Sequence, residues 1–140
     1  WSPEELDAST PPALAYAGSW HLVLAVTSKD RLNRLEYDFE TLTSLMQSQG
    51  LTTLQLVFRE RDDLIHSRNP FPVGGIVEDP ATGAAAAALG GYLRDAGLMK
   101  VPGRFVIRQG EVMGRPSQLQ VDVPVQGGIV VAGTAVDINE

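Results

Sequence analysis

The chain contains no cysteine. Disulfide cross-links, thiolate nucleophiles and racemase chemistry run by a pair of cysteines are therefore excluded. Histidine is scarce as well: His21 and His66 are the only two. They fall on separate strands with no nearby carboxylate pattern, and such a pair does not make a metal site. Basic residues are outnumbered, with 11 Lys and Arg against 17 Asp and Glu and a net charge of −6. No basic run stands out, so a nucleic-acid surface is excluded as the main function. No apolar run reaches the roughly 18 residues of a membrane-spanning helix. The N-terminus lacks a basic stretch followed by an apolar one, so no signal peptide is expected and a cytoplasmic location is. Gly74-Gly75 fails the spacing of a dinucleotide fingerprint, and P-loop, HExxH and GxSxG patterns are absent. No cofactor and no metal are expected.

What is present suits one domain with a real core: 140 residues, 44% of them hydrophobic and 20% charged. The chain begins at Trp1 rather than Met and reads as a piece of a longer product. Ser2-Pro3-Glu4-Glu5 has the form of a short helix start, with proline at the first position and acid at the positive end. Ser9-Thr10-Pro11-Pro12 then reads as linker. Residues 1–17 are accordingly expected to be the remnant of an interdomain connection, and residues 18–140 the domain.

The most informative stretch is Glu78-Asp79-Pro80-Ala81-Thr82-Gly83-Ala84, followed by an alanine-rich run to Leu98. It reads as a sharp loop feeding a helix. Pro80 suits the turn, and the Thr82 hydroxyl is placed to cap by accepting from a first-turn N–H. Gly83 allows close approach of a ligand, and Gly97 is a natural stop. From Ala84 to Leu93 no residue is charged. A helix apolar all round belongs in the interior. Its N-terminus gathers unpaired N–H groups and the positive end of the helix dipole, an anion site. Asp79 beside such a site suits a group that handles protons, although bracing the loop is an equally good use of an aspartate there.

Around that helix the patterning alternates. Trp20–Thr27 reads as a strand covered on both faces. Ser28 opens a short helical segment, and Asp38 caps a second helix, Phe39–Gln49, closed by Gly50, with Phe39, Leu42, Leu45 and Met46 as its core face. Thr52–Arg59 and Leu64–Arg68 read as paired strands, followed by a proline- and glycine-rich loop over 69–75. Arg104–Gln109, Ser117–Val125, Ile129–Ala132 and Gly133–Ile138 complete the strands. Short turns join many of these, so the expected fold is α+β, a mostly antiparallel barrel-like sheet wrapped around the central apolar helix.

Asp79 is the candidate catalytic residue, and Thr82, Gly83, Ala84 and Ala85 are the candidate substrate anchors. Gly110, in the turn Gln109-Gly110 that precedes Met113-Gly114-Arg115-Pro116-Ser117, is the further candidate for ligand approach, or a turn glycine only. His66 reads as a satisfied strand histidine before a catalyst. Arg68 can grip a carboxylate bidentately, with Asp62 or Asp63 the expected partner.

Glu78-Asp79-Pro80-Ala81-Thr82-Gly83, the helix after it, and Gln109-Gly110-x-x-Met113-Gly114-Arg115-Pro116-Ser117 closely resemble the PhzF-like (phenazine-biosynthesis) isomerase family over about residues 18–136. The resemblance implies a diaminopimelate-epimerase-like fold of two similar domains, each a barrel-like sheet around a central helix, with the active site in the cleft between them. This chain resembles the second domain. The implied chemistry is cofactor-free movement of a proton at carbon in a small carboxylate-bearing metabolite. The family's aspartate corresponds to Asp79, and its general-base glutamate comes from the first domain, which nothing here matches. The position after Thr82-Gly83, often serine in the family, is Ala84, which removes one hydroxyl. Two uses remain open: half of an isomerase that is inactive until its other domain is supplied, or a non-catalytic module that binds a small acid or dimerises.

Overall fold

The computed structural model describes residues 1–137. Eight strands form one sheet: β1 (Ala13–Tyr16), β2 (Trp20–Ala25), β3 (Leu51–Arg61), β4 (Leu64–Pro70), β5 (Glu78–Asp79), β6 (Gly103–Gln109), β7 (Ser117–Val123) and β8 (Val130–Gly133). Three α-helices accompany them: α1 (Lys29–Asn33), α2 (Phe39–Gln49) and α3 (Gly83–Asp95). The order across the sheet is β1-β2-β3-β4-β6-β7-β8, with β5 added on β4. The sheet is mixed: five of the seven pairings among the described residues are antiparallel, as the turns lead one to expect, and two are parallel. β2 pairs parallel with β3, and β4 pairs parallel with β6. The cause is the connections: α1 and α2 lie between β2 and β3, and β5 and α3 lie between β4 and β6. A helical crossover returns the chain in the direction it left.

α3 packs against β1, β2, β3, β7 and β8. β1 and β8 are opposite ends of the strand order, so a sheet that touches one helix with both must curl into a half-barrel. Alternation then sorts the side chains. Val23, Ala25, Val57, Phe105, Ile107, Val121 and Val123 meet Ala86, Ala88, Leu89 and Leu93 of α3 in one core. Leu22 and Leu24 point the other way, to a second core with Leu32, Met46, Leu54 and Leu56 under α1 and α2. This is why β2 reads as a continuous apolar run.

Local signals account for the helix ends. Ser28 accepts from the Arg31 N–H at 3.1 Å, and Asp38 accepts from the Thr41 N–H at 2.7 Å. Gly50 and Gly97 close α2 and α3 at positive φ. Several expectations differ from what is found. Phe39 and Leu45 are exposed, and Met46 is the buried residue of α2. α3 is not covered all round: Ala84 is exposed, Ala87 and Gly91 are half-buried, and Ala87 and Gly91 line an open groove of about 580 Å³ with Leu14, Tyr16 and Trp20. Small residues leave that stripe shallow. The segment read as linker contributes β1, paired antiparallel with β2, because its prolines precede the strand without entering it. Thr134–Asp137 has no regular structure, and Ile138, the expected end of a last strand, lies outside the described residues.

His21 is buried on β2, with Nδ1 2.8 Å from the Thr53 hydroxyl and Nε2 3.1 Å from the Ser19 hydroxyl. Burial lowers its pKa from 6.5. The folded chain resists taking the proton that the unfolded chain accepts near 6.5. Its stabilising contribution is therefore complete above that pH and lost as pH falls through and below it. We expect urea midpoints to drop between pH 7.5 and 5.5, and His21→Gln to flatten that drop while lowering stability by about 1–3 kcal/mol at pH 7.5.

Candidate functional site

Two anchors hold the Asp79 loop. The first is on β4. Asn69 and Pro70 pair with Asp79 and Glu78, making the short strand β5. The Arg68 guanidinium takes both Glu78 oxygens, Nε to Oε1 at 2.9 Å and Nη2 to Oε2 at 2.7 Å. Both side chains are largely buried, 12% and 5% exposed. Arg68 Nη1 also donates to the Asn33 carbonyl at 2.9 Å and the Leu32 carbonyl at 3.4 Å, the C-terminal end of α1. The expected partners Asp62 and Asp63 instead pair with Arg59 and Arg61. They sit in the β3–β4 turn, whereas Arg68 is near the far end of β4, where β5 folds back.

The second anchor is at the β6–β7 turn. Gln109, fully buried, donates from Nε2 to the Asp79 carbonyl at 2.8 Å and to Thr82 Oγ1 at 2.9 Å, and accepts from the Thr82 N–H at 3.2 Å. Ser117 Oγ donates to the Pro80 carbonyl at 2.9 Å. Gly110 is buried at φ +78°. A Cβ there would stand 2.1 Å from the Arg115 carbonyl oxygen and 2.9 Å from that of Pro80. The two loops approach so closely that only glycine fits. Gly110→Ala is expected to cost about 2–3 kcal/mol, measured by urea denaturation. Gln109 and Ser117 enter the sequence reading only as members of the turn that approaches the ligand, with no role of their own. The signal was available: Phe105, Ile107 and Gln109 share the inward face of β6, and a glutamine there needs polar partners inside.

Thr82 stands at the N-cap of α3, but its hydroxyl makes no capping hydrogen bond. It donates instead to Asp79 Oδ2 at 2.7 Å. The first helical N–H with an acceptor is that of Ala86, to the Thr82 carbonyl at 3.0 Å. The N–H groups of Gly83, Ala84 and Ala85 therefore have no protein acceptor among the described residues; Gly83 and Ala84 are exposed, whereas Ala85, the third expected backbone anchor, is fully buried. Asp79 is half-buried next to them. Its Oδ2 is occupied, and among the described residues Oδ1 has no hydrogen-bond partner. A carboxylate with one tethered and one unpartnered oxygen thus stands by two exposed donors, the Gly83 and Ala84 N–H groups, at the positive end of a 13-residue helix.

The remaining candidates lie apart. His66 Nε2 meets Glu60 at 3.1 Å, and Nδ1 lies 3.8 Å from Glu111, which also pairs with Lys29 at 3.3 Å. His21 is in the core. Among the described residues no three His, Asp or Glu side chains converge to hold a metal, and no helix is long and apolar enough to cross a membrane. A cavity of about 600 Å³ on the outer face of β6–β8 and one of about 580 Å³ beside α3 are lined by neither Asp79 nor Thr82.

Fold and loop together define an α+β half-barrel domain that presents an acid at an open helix end. The chain belongs to the phenazine biosynthesis-like protein family, whose pattern it matches over residues 2–140. It is 30% identical over 130 residues to an uncharacterized isomerase of Deinococcus radiodurans, covering 91% of this chain and 42% of that protein. It is 32% identical over 114 residues to one of Clostridium acetobutylicum, covering 77% and 38%. Among solved structures, a predicted epimerase from Pseudomonas aeruginosa superposes with a TM-score of 0.72 at 29% identity, over 94% of this chain and 45% of that one. A PhzF-family phenazine biosynthesis protein from Bacillus anthracis shares the fold, with a TM-score of 0.71 at 19% identity, over 91% and 46%. The chain spans less than half the length of these relatives.

Proposed function

We propose that this chain is the second domain of a cofactor-independent PhzF-like isomerase or epimerase of the cytoplasm, one half of a diaminopimelate-epimerase-like pair. Its substrate is a small carboxylate-bearing metabolite. The exposed N–H groups of Gly83 and Ala84 take the substrate carboxylate, with the buried Ala85 N–H adding to the positive end of the helix behind them, and charge that builds there when a neighbouring C–H bond is broken is met by the same donors. Asp79 Oδ1 passes a proton to or from that carbon. A glutamate from a first domain works on the opposite side and is the general base. The observation that carries this reading is the Asp79 carboxylate tethered through Oδ2 beside unclaimed helix N–H groups. Ala84 brings no hydroxyl, so this site binds its substrate with backbone donors where a serine would add one.

The test is deuterium wash-in. The two-domain protein, offered small carboxylic acids in D₂O, is expected to exchange a carbon-bound proton, and this chain alone is expected to exchange none. Absence of exchange from the two-domain protein across such a panel would remove the isomerase reading.

One observation favours a second use, a dimerisation half. Leu14, Tyr16 and Trp20 are 62%, 61% and 47% exposed at and beside the edge strand β1, an apolar patch of a kind that favours association. The isolated chain is then expected to self-associate. A clean monomer in sedimentation at high concentration counts against it.

A further inference from the structure

We propose that Gln109 is a positioning residue for Asp79, acting through the Thr82 hydroxyl. The inference rests on the proton-transfer reading above. The orientation of the Gln109 carboxamide is set by its neighbours. Its oxygen faces a donor, the Thr82 N–H, and its nitrogen faces two acceptors, the Asp79 carbonyl and Thr82 Oγ1. Turning the amide over would set donor against donor and acceptor against acceptor. With Nε2 donating to it, the Thr82 hydroxyl must send its single hydrogen elsewhere, and Asp79 Oδ2 lies 2.7 Å away.

Two consequences follow for the site. The hydroxyl that would ordinarily cap α3 is drawn to the aspartate, so the N–H groups of Gly83 and Ala84 stay open to a ligand. The aspartate is also held by one oxygen, which fixes Oδ1 as the oxygen that meets the substrate. Gln109 touches neither substrate nor reacting carbon. It sets the direction of one hydrogen bond, and orientation of this kind governs kcat before it governs binding. Ser117 supports the arrangement from behind, because its hydroxyl also lies 3.2 Å from the Gln109 carbonyl oxygen.

The experiment is a double-mutant cycle of Gln109→Met and Thr82→Val, read in two ways. In the two-domain protein, Gln109→Met is expected to lower kcat for proton exchange about 10- to 100-fold with KM changed less than about 3-fold. In the Thr82→Val background the same change is expected to lower kcat no further. In this chain, urea unfolding of the four proteins is expected to show coupling of about 5-fold or more in the folding equilibrium constant. Additive losses of kcat, a loss confined to KM, or independent effects on unfolding would each overturn the proposal. The two failures are separable. Exchange lost in Asp79→Asn but intact in Gln109→Met overturns this inference alone. A wild-type protein that exchanges nothing overturns the isomerase reading, and this inference with it.

Discussion

Asp79→Asn in the two-domain protein is expected to lower solvent-proton exchange into substrate by at least about 100-fold. Asparagine keeps the size of the side chain, and its carbonyl oxygen still accepts from the Thr82 hydroxyl, now 2.7 Å from Asp79 Oδ2. The loop should therefore hold its shape, and the N–H groups of Gly83 and Ala84 should still take a carboxylate. What disappears is a group that can accept and release a proton at the open oxygen. Deuterium wash-in measures the loss, and urea denaturation of the same variant checks that stability moves by less than about 1 kcal/mol. Exchange at the wild-type rate would take Asp79 out of the mechanism.

Arg68→Met is expected to destabilise the chain by about 3–5 kcal/mol. Its guanidinium is the partner of both Glu78 oxygens, and Glu78 is 5% exposed. Methionine fills similar space but leaves a buried carboxylate uncompensated, and it releases the Asn33 and Leu32 carbonyls that Arg68 also serves. The measurement is a urea midpoint at pH 7.5. The companion Arg68→Met with Glu78→Leu is expected to recover much of the loss, because both charges then leave together. If the single change costs less than about 1 kcal/mol, the pair does not hold β5 to β4.

Much of this architecture was legible locally. Asp38 and Gly50 bound α2 as their chemistry demands, and the Leu/Val run of β2 signalled cover on both faces. The Glu78–Gly83 pattern marked the loop and the family. What was not legible depends on residues distant in the chain. Whether β2 and β3 run parallel is decided by the crossover between them, not by either strand's alternation. The Thr82 hydroxyl obeys the capping rule until a glutamine 27 positions later claims it. Arg68 was assigned the acids nearest in sequence, while the fold brings it the one beside Asp79. The apolar surface of α3 led to the expectation of cover all round, whereas one face is buried and a stripe at Ala87 and Gly91 is open, since composition does not say where a sheet ends.

The way β1 and β8 both reach α3 has a consequence for synthesis. β1 is made early, but β7 and β8 follow α3, and the last of them ends at Gly133, about 40 residues after Asp95. At about 5–20 residues per second the helix waits roughly 2–8 s on the ribosome before its apolar side can be covered. Until then β7 and β8, two of the five strands it packs against, are incomplete, and the nascent polypeptide must be kept from sticking to others of its kind.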